Sequence, residues 1–333
     1  MIDFLLEFAL FFLKSLTIVV AVAAIVLTIV SASKGDGGQH GLKIDKLNDK
    51  YRELADKLRH SVMNKDEWKA YEKEQKKALK KEEKEGGESG KRVYVLNFIG
   101  DMRASAVDSL REEVTVVISV ATPEDEIVVC IENAGGVVHD HGLGASQLER
   151  IKRKNIPLTV VVDKVAASGG YLMASVANKI IAAPFAIVGS IGVLAQIPNF
   201  NRFLEERGID FEQVTAGKYK RTLTMFGKNT DADREKTRED LEEVHTLFKG
   251  AVTEHRPDMD IESVATGEYW YGTRALELGL IDEVGSSDDY LMALADNAKI
   301  YGITYKGSET LLQKLQSAMA VITSSLGMGV RLP

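Results

Sequence analysis

Short apolar runs alternate with helical patterns through the central part of the chain. Apolar residues, many of them β-branched, fill residues 93–98, 127–131, 158–163 and 179–183, which is typical of buried strands. Residues 105–121 and 142–154 carry helical spacing between them, and another helical pattern runs from Ser168 to Ala177. Strands that alternate with helices at short intervals predict an α/β domain with a largely parallel sheet.

The N-terminal segment is apolar enough to predict a membrane anchor. Residues 8–30 are almost continuously apolar, and Lys14 is the only charged residue among them. That length matches a transmembrane helix. A cleaved signal peptide is the alternative, favoured by the small residues 31–33, but Asp3 and Glu7 replace the positive charge that a signal peptide carries at its start. We expect an uncleaved anchor over residues 1–33.

A charged region, residues 34–91, separates the anchor from the body of the chain. Its first half has apolar residues at spacings of three and four, as in the seam of a coiled coil, at Ile44, Leu47, Tyr51, Leu54 and Leu58. Lys and Glu dominate residues 66–91, which predicts a solvated helix that ends in a flexible glycine-rich stretch. We therefore divide the chain into this partly coiled-coil-like linker, a body over residues 92–300, and a tail over residues 301–333. The amphipathic pattern of residues 311–326 predicts a helix in the tail that packs on the body or contacts another subunit.

Composition narrows the function classes and leaves the compartment open. The net charge of −7 argues against a nucleic-acid-binding protein of the usual basic kind. The single cysteine, Cys130, excludes a disulfide within the chain. Four lysines shortly follow the predicted anchor, which by the positive-inside rule would put the body in the cytoplasm. They are Lys34, Lys43, Lys46 and Lys50.

Ser168 has the local sequence of a nucleophile. It lies in the stretch Val-Ala-Ala-Ser-Gly-Gly-Tyr at residues 165–171, between a predicted strand and a predicted helix. Small neighbours let another backbone approach the hydroxyl, as attack on a carbonyl requires. The alternative is that Ser168 only caps the helix that follows.

Gly135 and Gly136 follow the preceding strand and would lie at the same edge of a parallel sheet as Ser168, where ligands bind. Glycine N–H groups there could form an oxyanion hole for the carbonyl oxygen. The alternative is an ordinary turn.

The residues alone leave the general base undecided. His139 and His141 lie just beyond the glycine pair, in a predicted polar loop. A lysine made neutral by burial is the other possibility. The candidates are Lys164, Lys218, Lys220 and Lys228.

Four motifs in order resemble the signal peptide peptidase A family of membrane serine proteases. They are Asn-Ala-Gly-Gly at 133–136, Ala-Ser-Gly-Gly-Tyr at 167–171, Gly-Ser-Ile-Gly at 189–192 and Ala-Gly-Lys-Tyr-Lys at 216–220. The anchor followed by a charged segment is similar to the SohB branch of that family. The resemblance implies a ClpP/crotonase-like fold and a Ser–Lys dyad without a cofactor. It assigns the nucleophile to Ser168, the base to Lys220, the serine that hydrogen-bonds the base to Ser190, and the oxyanion-hole glycine to Gly135. The family more often has Ser-Pro-Gly-Gly at the first motif.

The resemblance implies a membrane-anchored endopeptidase that cleaves peptides or membrane-protein fragments such as remnant signal peptides. It also implies a body in the periplasm, anchored to the bacterial inner membrane. We favour this placement over the cytoplasmic placement that the four lysines predict. Because the chain holds one copy of the motifs, it implies a homo-oligomeric ring in which Lys220 reaches Ser168 of a neighbour. The alternatives are an idle scaffold or peptide-binding protein on the same fold and an acyl-CoA enzyme of the crotonase type.

Overall fold

The computed structural model describes residues 7–8, 10–17, 19–20, 41–84 and 90–307. Residues Ile44–Thr304 form one compact unit, and the two chain ends, Met1–Lys43 and Tyr305–Pro333, form a second. Strands and helices in the described part are numbered in chain order.

The strands are β1 (Gly41–Lys46), β2 (Lys91–Ile99), β3 (Glu126–Glu132), β4 (Leu158–Val162), β5 (Val165–Ala167), β6 (Lys179–Ala182), β7 (Ile187–Gly189), β8 (Tyr269–Tyr271), β9 (Glu283–Val284) and β10 (Ala298–Lys306). The helices are α1 (Leu47–Val62), α2 (Lys65–Lys84), α3 (Val107–Val120), α4 (Val138–Lys152), α5 (Gly169–Ser175), α6 (Asn201–Glu205), α7 (Asp231–His255), α8 (Ile261–Val264), α9 (Gly272–Glu277) and α10 (Ser287–Ala295).

Two sheets organise the unit. The larger has the strand order β1-β10-β2-β3-β4-β6-β9, and every pairing from β10 to β9 is parallel. The smaller has the order β5-β7-β8, with β5 parallel and β8 antiparallel to β7. A backbone bridge between Asn133 and Ala166 joins the end of β3 to β5. The α/β architecture with a largely parallel sheet is confirmed.

Both faces of the larger sheet are covered, as a parallel sheet requires. Alternate residues of a strand face opposite sides, so β2 contributes to two cores. Val93 and Val95 join the core that Leu291 of α10 covers. On α3, the apolar side chains at helical spacing, among them Leu110 and Val114, are buried, and α3 packs against both β2 and α4.

Cys130 lies on β3 and packs against the core that contains Val93, Val95 and Leu291. Burial raises the pKa of its thiol to about 12, so the thiolate that oxidation and disulfide exchange require is scarce.

The charged region differs in part from its prediction. Ile44, the first residue of the predicted seam, lies in strand β1, and the helix begins only at Leu47. The helical seam therefore starts at Leu47, three residues later than the spacing predicted. The predicted solvated helix is present as α2. At the other end, β10 reaches Lys306, so residues 301–306 belong to a strand and not to the tail.

Two predicted elements lie largely or wholly outside the described residues. These are most of the anchor, including residues 21–30, and the tail helix at 311–326. No helix within the described ranges is both long enough and apolar enough to cross a bilayer.

Candidate active site

Ser168 occupies a tight turn between β5 and α5. Its backbone angles are φ 51° and ψ −119°, a conformation that costs energy for any residue other than glycine. Two backbone hydrogen bonds hold it there: the Ser168 N–H donates to Gly189 O at 2.8 Å, and Leu172 N–H donates to Ser168 O at 2.9 Å. The fold therefore fixes the backbone of this residue independently of its side chain.

The hydroxyl of Ser168 takes no part in this structural role. Although Ser168 stands at the N-cap of α5, its side chain makes no capping hydrogen bond. The interpretation of Ser168 as a helix-capping serine is therefore wrong. The side chain is partly exposed, so its hydroxyl remains available for chemistry.

The glycine loop lies directly against this turn. Asn133 N–H donates to Val165 O at 2.8 Å, and Ala167 N–H donates to Asn133 O at 3.0 Å. Gly135 follows with φ +92°, and a Cβ on it would come within 2.7 Å of the Ser168 Cβ and 2.9 Å of the Gly169 N. The structure thus brings Gly135 and Ser168 together, as the sequence predicted, and leaves no room for a side chain between them.

The backbone N–H groups near Ser168 differ in whether they already have a hydrogen-bond acceptor. The Gly135 N–H, which the resemblance assigns to the oxyanion hole, donates to Asn133 Oδ1 at 2.5 Å. Within the described residues, the N–H groups of Gly136 and Gly169 donate to no protein atom. The unused donors beside Ser168 are therefore the N–H of Gly136, the second residue of the predicted glycine pair, and the N–H of Gly169, which the sequence did not indicate as a donor.

Ser190 lies in the matching position on the neighbouring strand. Ala167 pairs with Gly189 across β5 and β7, so Ser168 and Ser190 each follow a paired residue. Ser190 also has a positive φ, 52°. Its N–H donates to Glu268 O at 2.7 Å, and its hydroxyl donates to Gly267 O at 3.3 Å.

No hydrogen bond joins Lys220 to Ser168 within the described part of the chain. Its side chain is exposed and makes no hydrogen bond or ion pair with any described residue. It belongs to an irregular segment, residues 193–230, that contains only the short helix α6. Lys218 lies in the same turn, where its interaction with Tyr219 raises the pKa of its amine, so less of the amine is in the neutral form that a general base requires.

The two histidines that remained as alternatives have different surroundings. His141 is fully buried, and its ring nitrogens lie 2.8 Å from Val137 O and 3.1 Å from Asn133 Oδ1. Both nitrogens therefore face oxygens other than that of Ser168. His139 is exposed on the first turn of α4, with Asp140 as its charged neighbour at 3.8 Å.

Two parts of this site were missed from the sequence. Residues 165–167 and 187–189 are too short to have the periodicity of strands, so the small sheet that carries both serines was not predicted. Asn133 was noted only as part of a motif. An asparagine two residues before a glycine is a common turn signal, because its side chain can accept a hydrogen bond from that backbone N–H. No group of His, Cys, Asp and Glu side chains able to hold a metal ion occurs among the described residues.

Residues 3–148 match the family model described as Peptidase family S49 N-terminal, and residues 150–301 match the model described as Peptidase family S49. The chain is 43% identical over 324 residues to the "Probable protease SohB" of Haemophilus influenzae, covering 94% of this chain and 92% of that protein. It is 45% identical over 303 residues to the "Probable protease SohB" of Buchnera aphidicola subsp. Schlechtendalia chinensis, covering 87% of this chain and 99% of that protein.

The contact between Gly135 and Ser168 predicts the effect of a single methyl group. We expect Gly135→Ala to lower the rate at which a fluorophosphonate labels Ser168 by about 100-fold, because the new Cβ displaces the serine or the loop by about 1 Å. Gly142→Ala is the matched control, since a Cβ at Gly142 meets nothing within 4 Å. Equal labelling rates for the two variants would contradict an effect of Gly135 on the Ser168 hydroxyl.

Proposed function

The chain belongs to peptidase family S49 and is a peptidase, and from this premise we propose that it is a membrane-anchored serine endopeptidase with a Ser–Lys dyad. The observation that carries the proposal is the Ser168 hydroxyl. It is held on a strained turn against the glycine loop and forms no hydrogen bond with any described residue. Strain at a residue with an unused nucleophile is typical of active sites.

In the proposed reaction, the oxygen of Ser168 attacks the peptide carbonyl while the neutral amine of Lys220 accepts the hydroxyl proton. The carbonyl oxygen becomes an oxyanion, and the free N–H groups of Gly136 and Gly169 donate hydrogen bonds to it. The C–N bond then breaks as Lys220 returns the proton to the leaving amine. Water, deprotonated by the same lysine, hydrolyses the acyl-serine and restores the enzyme.

Lys220 acts in this scheme from a neighbouring subunit. A lysine serves as a base near neutral pH only when burial or nearby charge lowers its pKa, whereas Lys220 of the single chain is exposed. The segment that carries it also exposes apolar side chains, among them Val214 at 96% and Leu194 at 74%. Apolar surface of this kind is typical of protein contacts. Packing of residues 193–230 on a second copy would bury both the apolar side chains and Lys220.

Ser190 would position the base. It lies beside Ser168 on the paired strand, and its hydroxyl donates only a long hydrogen bond to Gly267. That hydroxyl can turn to accept a hydrogen bond from the amine of Lys220, which fixes the direction of the lone pair that takes the proton.

We assign the parallel sheet and its serine turn to the ClpP/crotonase-like fold, and residues 8–30 to a single transmembrane anchor in the bacterial inner membrane. The body would face the periplasm and cleave exposed peptides, such as remnant signal peptides or fragments of membrane proteins. The apolar composition of residues 8–30 and the family membership support this placement.

An idle scaffold or peptide-binding protein and an acyl-CoA enzyme are the competing functions. Either could use the same fold. Neither requires an unused serine hydroxyl on a strained turn beside two free glycine N–H groups, which is why we favour proteolysis.

We expect a fluorophosphonate to label the wild-type protein covalently at Ser168 and to leave Ser168→Ala unlabelled. Ser168→Ala should also lose several orders of magnitude in peptide cleavage, because removal of the nucleophile removes the acyl-enzyme route. Ser146→Ala is the control, since the Ser146 hydroxyl is exposed and donates to Gly142 O. A wild-type protein that resists the probe, or a Ser168→Ala variant that cleaves peptides normally, would support the idle scaffold.

We expect Lys220→Ala to be as inactive as Ser168→Ala, whereas Lys218→Ala keeps much of its activity. Lys220→Arg should also be inactive, because arginine keeps its proton at working pH. Rates of peptide cleavage by the purified variants decide the matter. Normal activity of Lys220→Ala would transfer the role of base to His139, which is exposed near the glycine loop.

Mixing the two inactive variants tests whether the dyad is shared. Co-expressed Ser168→Ala and Lys220→Ala should recover part of the wild-type activity, because some interfaces of a mixed ring pair an intact serine with an intact lysine. Sedimentation and differential tagging establish that mixed oligomers have formed. Mixed oligomers without activity would mean that the dyad closes within one chain.

Fusion of alkaline phosphatase to the C terminus tests the orientation. We expect an active phosphatase, since this enzyme folds only after export. The control is a second fusion, at the same site, to a reporter that is active only in the cytoplasm. An inactive phosphatase together with an active cytoplasmic reporter would place the body in the cytoplasm, as the lysines after the anchor suggest.

A further inference from the structure

A buried polar pair lies behind the glycine loop and the serine turn. Asn133 is 1% exposed and His141 is fully buried. The side chains meet at Asn133 Oδ1, which lies 3.1 Å from His141 Nε2. Neither residue has a role in the proposed chemistry, because neither presents a free polar atom to Ser168.

Asn133 determines which way the glycine loop turns its N–H groups. Its Oδ1 accepts the Gly135 N–H at 2.5 Å, which closes a turn of the kind that Asn and Asp form with the residue two positions on. The intervening residue is Ala134, which leaves φ free, so the side-chain hydrogen bond provides the restraint that a proline would otherwise supply. With the Gly135 N–H directed at Asn133, the Gly136 N–H is the donor of the glycine pair that has no acceptor among the described residues.

His141 supports the other donor. A Cβ on Gly169 would lie 2.4 Å from His141 Cγ, so the ring packs directly against the backbone that carries the Gly169 N–H. The same ring lies 2.8 Å from Val137 O through Nδ1 and contacts Asn133 through Nε2. One side chain thus touches both loops that supply an oxyanion-hole donor.

Close packing alone does not explain why an asparagine occupies position 133. Its Nδ2 atom is buried and has no hydrogen-bond partner among the described residues. An unpaired buried amide destabilises a protein, and an apolar residue of similar shape would avoid that cost. The position therefore favours the acceptor oxygen over efficient packing.

We propose that Asn133 and His141 are positioning residues for the oxyanion hole: Asn133 orients the Gly136 N–H through Gly135, and His141 holds the Gly169 N–H beside it. This inference rests on the proposed function, since it assumes that Ser168 attacks a carbonyl. Neither residue touches substrate. Their effect reaches the reaction only through the direction of two backbone N–H groups.

The test compares Asn133→Ala with Asn133→Asp in the full-length protein. Alanine removes the acceptor for the Gly135 N–H, whereas aspartate keeps it in the same turn. We expect Asn133→Ala to lower kcat for a peptide substrate by about 10- to 100-fold with KM within about twofold, because a displaced donor is lost mainly from the transition state. Asn133→Asp should recover most of that kcat.

His141→Phe keeps the ring that packs against Gly169 and removes both nitrogens, so we expect a smaller fall in kcat, about tenfold, at unchanged KM. Gln147→Ala is the matched control, because Gln147 is a buried polar residue on the same helix whose amide donates to Leu143 O. Thermal unfolding of every variant separates loss of catalysis from loss of folded protein.

Fluorophosphonate labelling distinguishes failure of this inference from failure of the proposed function. If the wild-type protein is not labelled at Ser168, the proposed function fails and the inference with it. If the wild type is labelled but Asn133→Ala keeps the wild-type labelling rate and kcat, only the positioning role is overturned. Equal losses in the alanine and aspartate variants, or a loss that appears in KM, would likewise overturn it.

Discussion

Two backbone hydrogen bonds join the halves of the candidate site. Asn133 N–H donates to Val165 O, and Ala167 N–H donates to Asn133 O, so one residue at the end of β3 is held on both sides by β5. Buried backbone groups must be paired, and these two hydrogen bonds pair both the N–H and the C=O of Asn133. The glycine loop after β3 and the serine turn after β5 are consequently fixed relative to each other. The position of the Ser168 hydroxyl follows from this backbone pairing between two sheets.

Much of the fold could be predicted because its signals are local. The strand at residues 127–131 is a run of apolar residues, and the turn at Ser168 has small residues around it. Both appear in the structure within a residue or two. Ile44 was assigned to a helix because its spacing from Leu47 fits one, but hydrogen bonding in the sheet prevails over that periodicity.

The site could be predicted only in part, because its remaining features depend on distant contacts. The sequence identified Gly135 as a neighbour of Ser168, which is correct, but not that its N–H would be occupied by Asn133. The burial of His141 depends on Gly169, which lies beyond another strand. Lys220 lies exposed in an irregular segment, so no strand or helix of the chain fixes its surroundings. Local pattern thus indicates where the candidate nucleophile lies and not which groups orient the atoms around it.

The positive φ angles of Ser168 and Ser190 lower the stability of the fold. Each strained serine costs about 1–3 kcal/mol relative to a relaxed backbone, whereas glycine adopts such angles freely. The protein therefore gives up stability at two positions to keep two hydroxyl groups in place. Glycine at either position would therefore make the fold more stable but would remove a hydroxyl group. Stabilising the protein at these two turns thus works directly against the chemistry proposed for them.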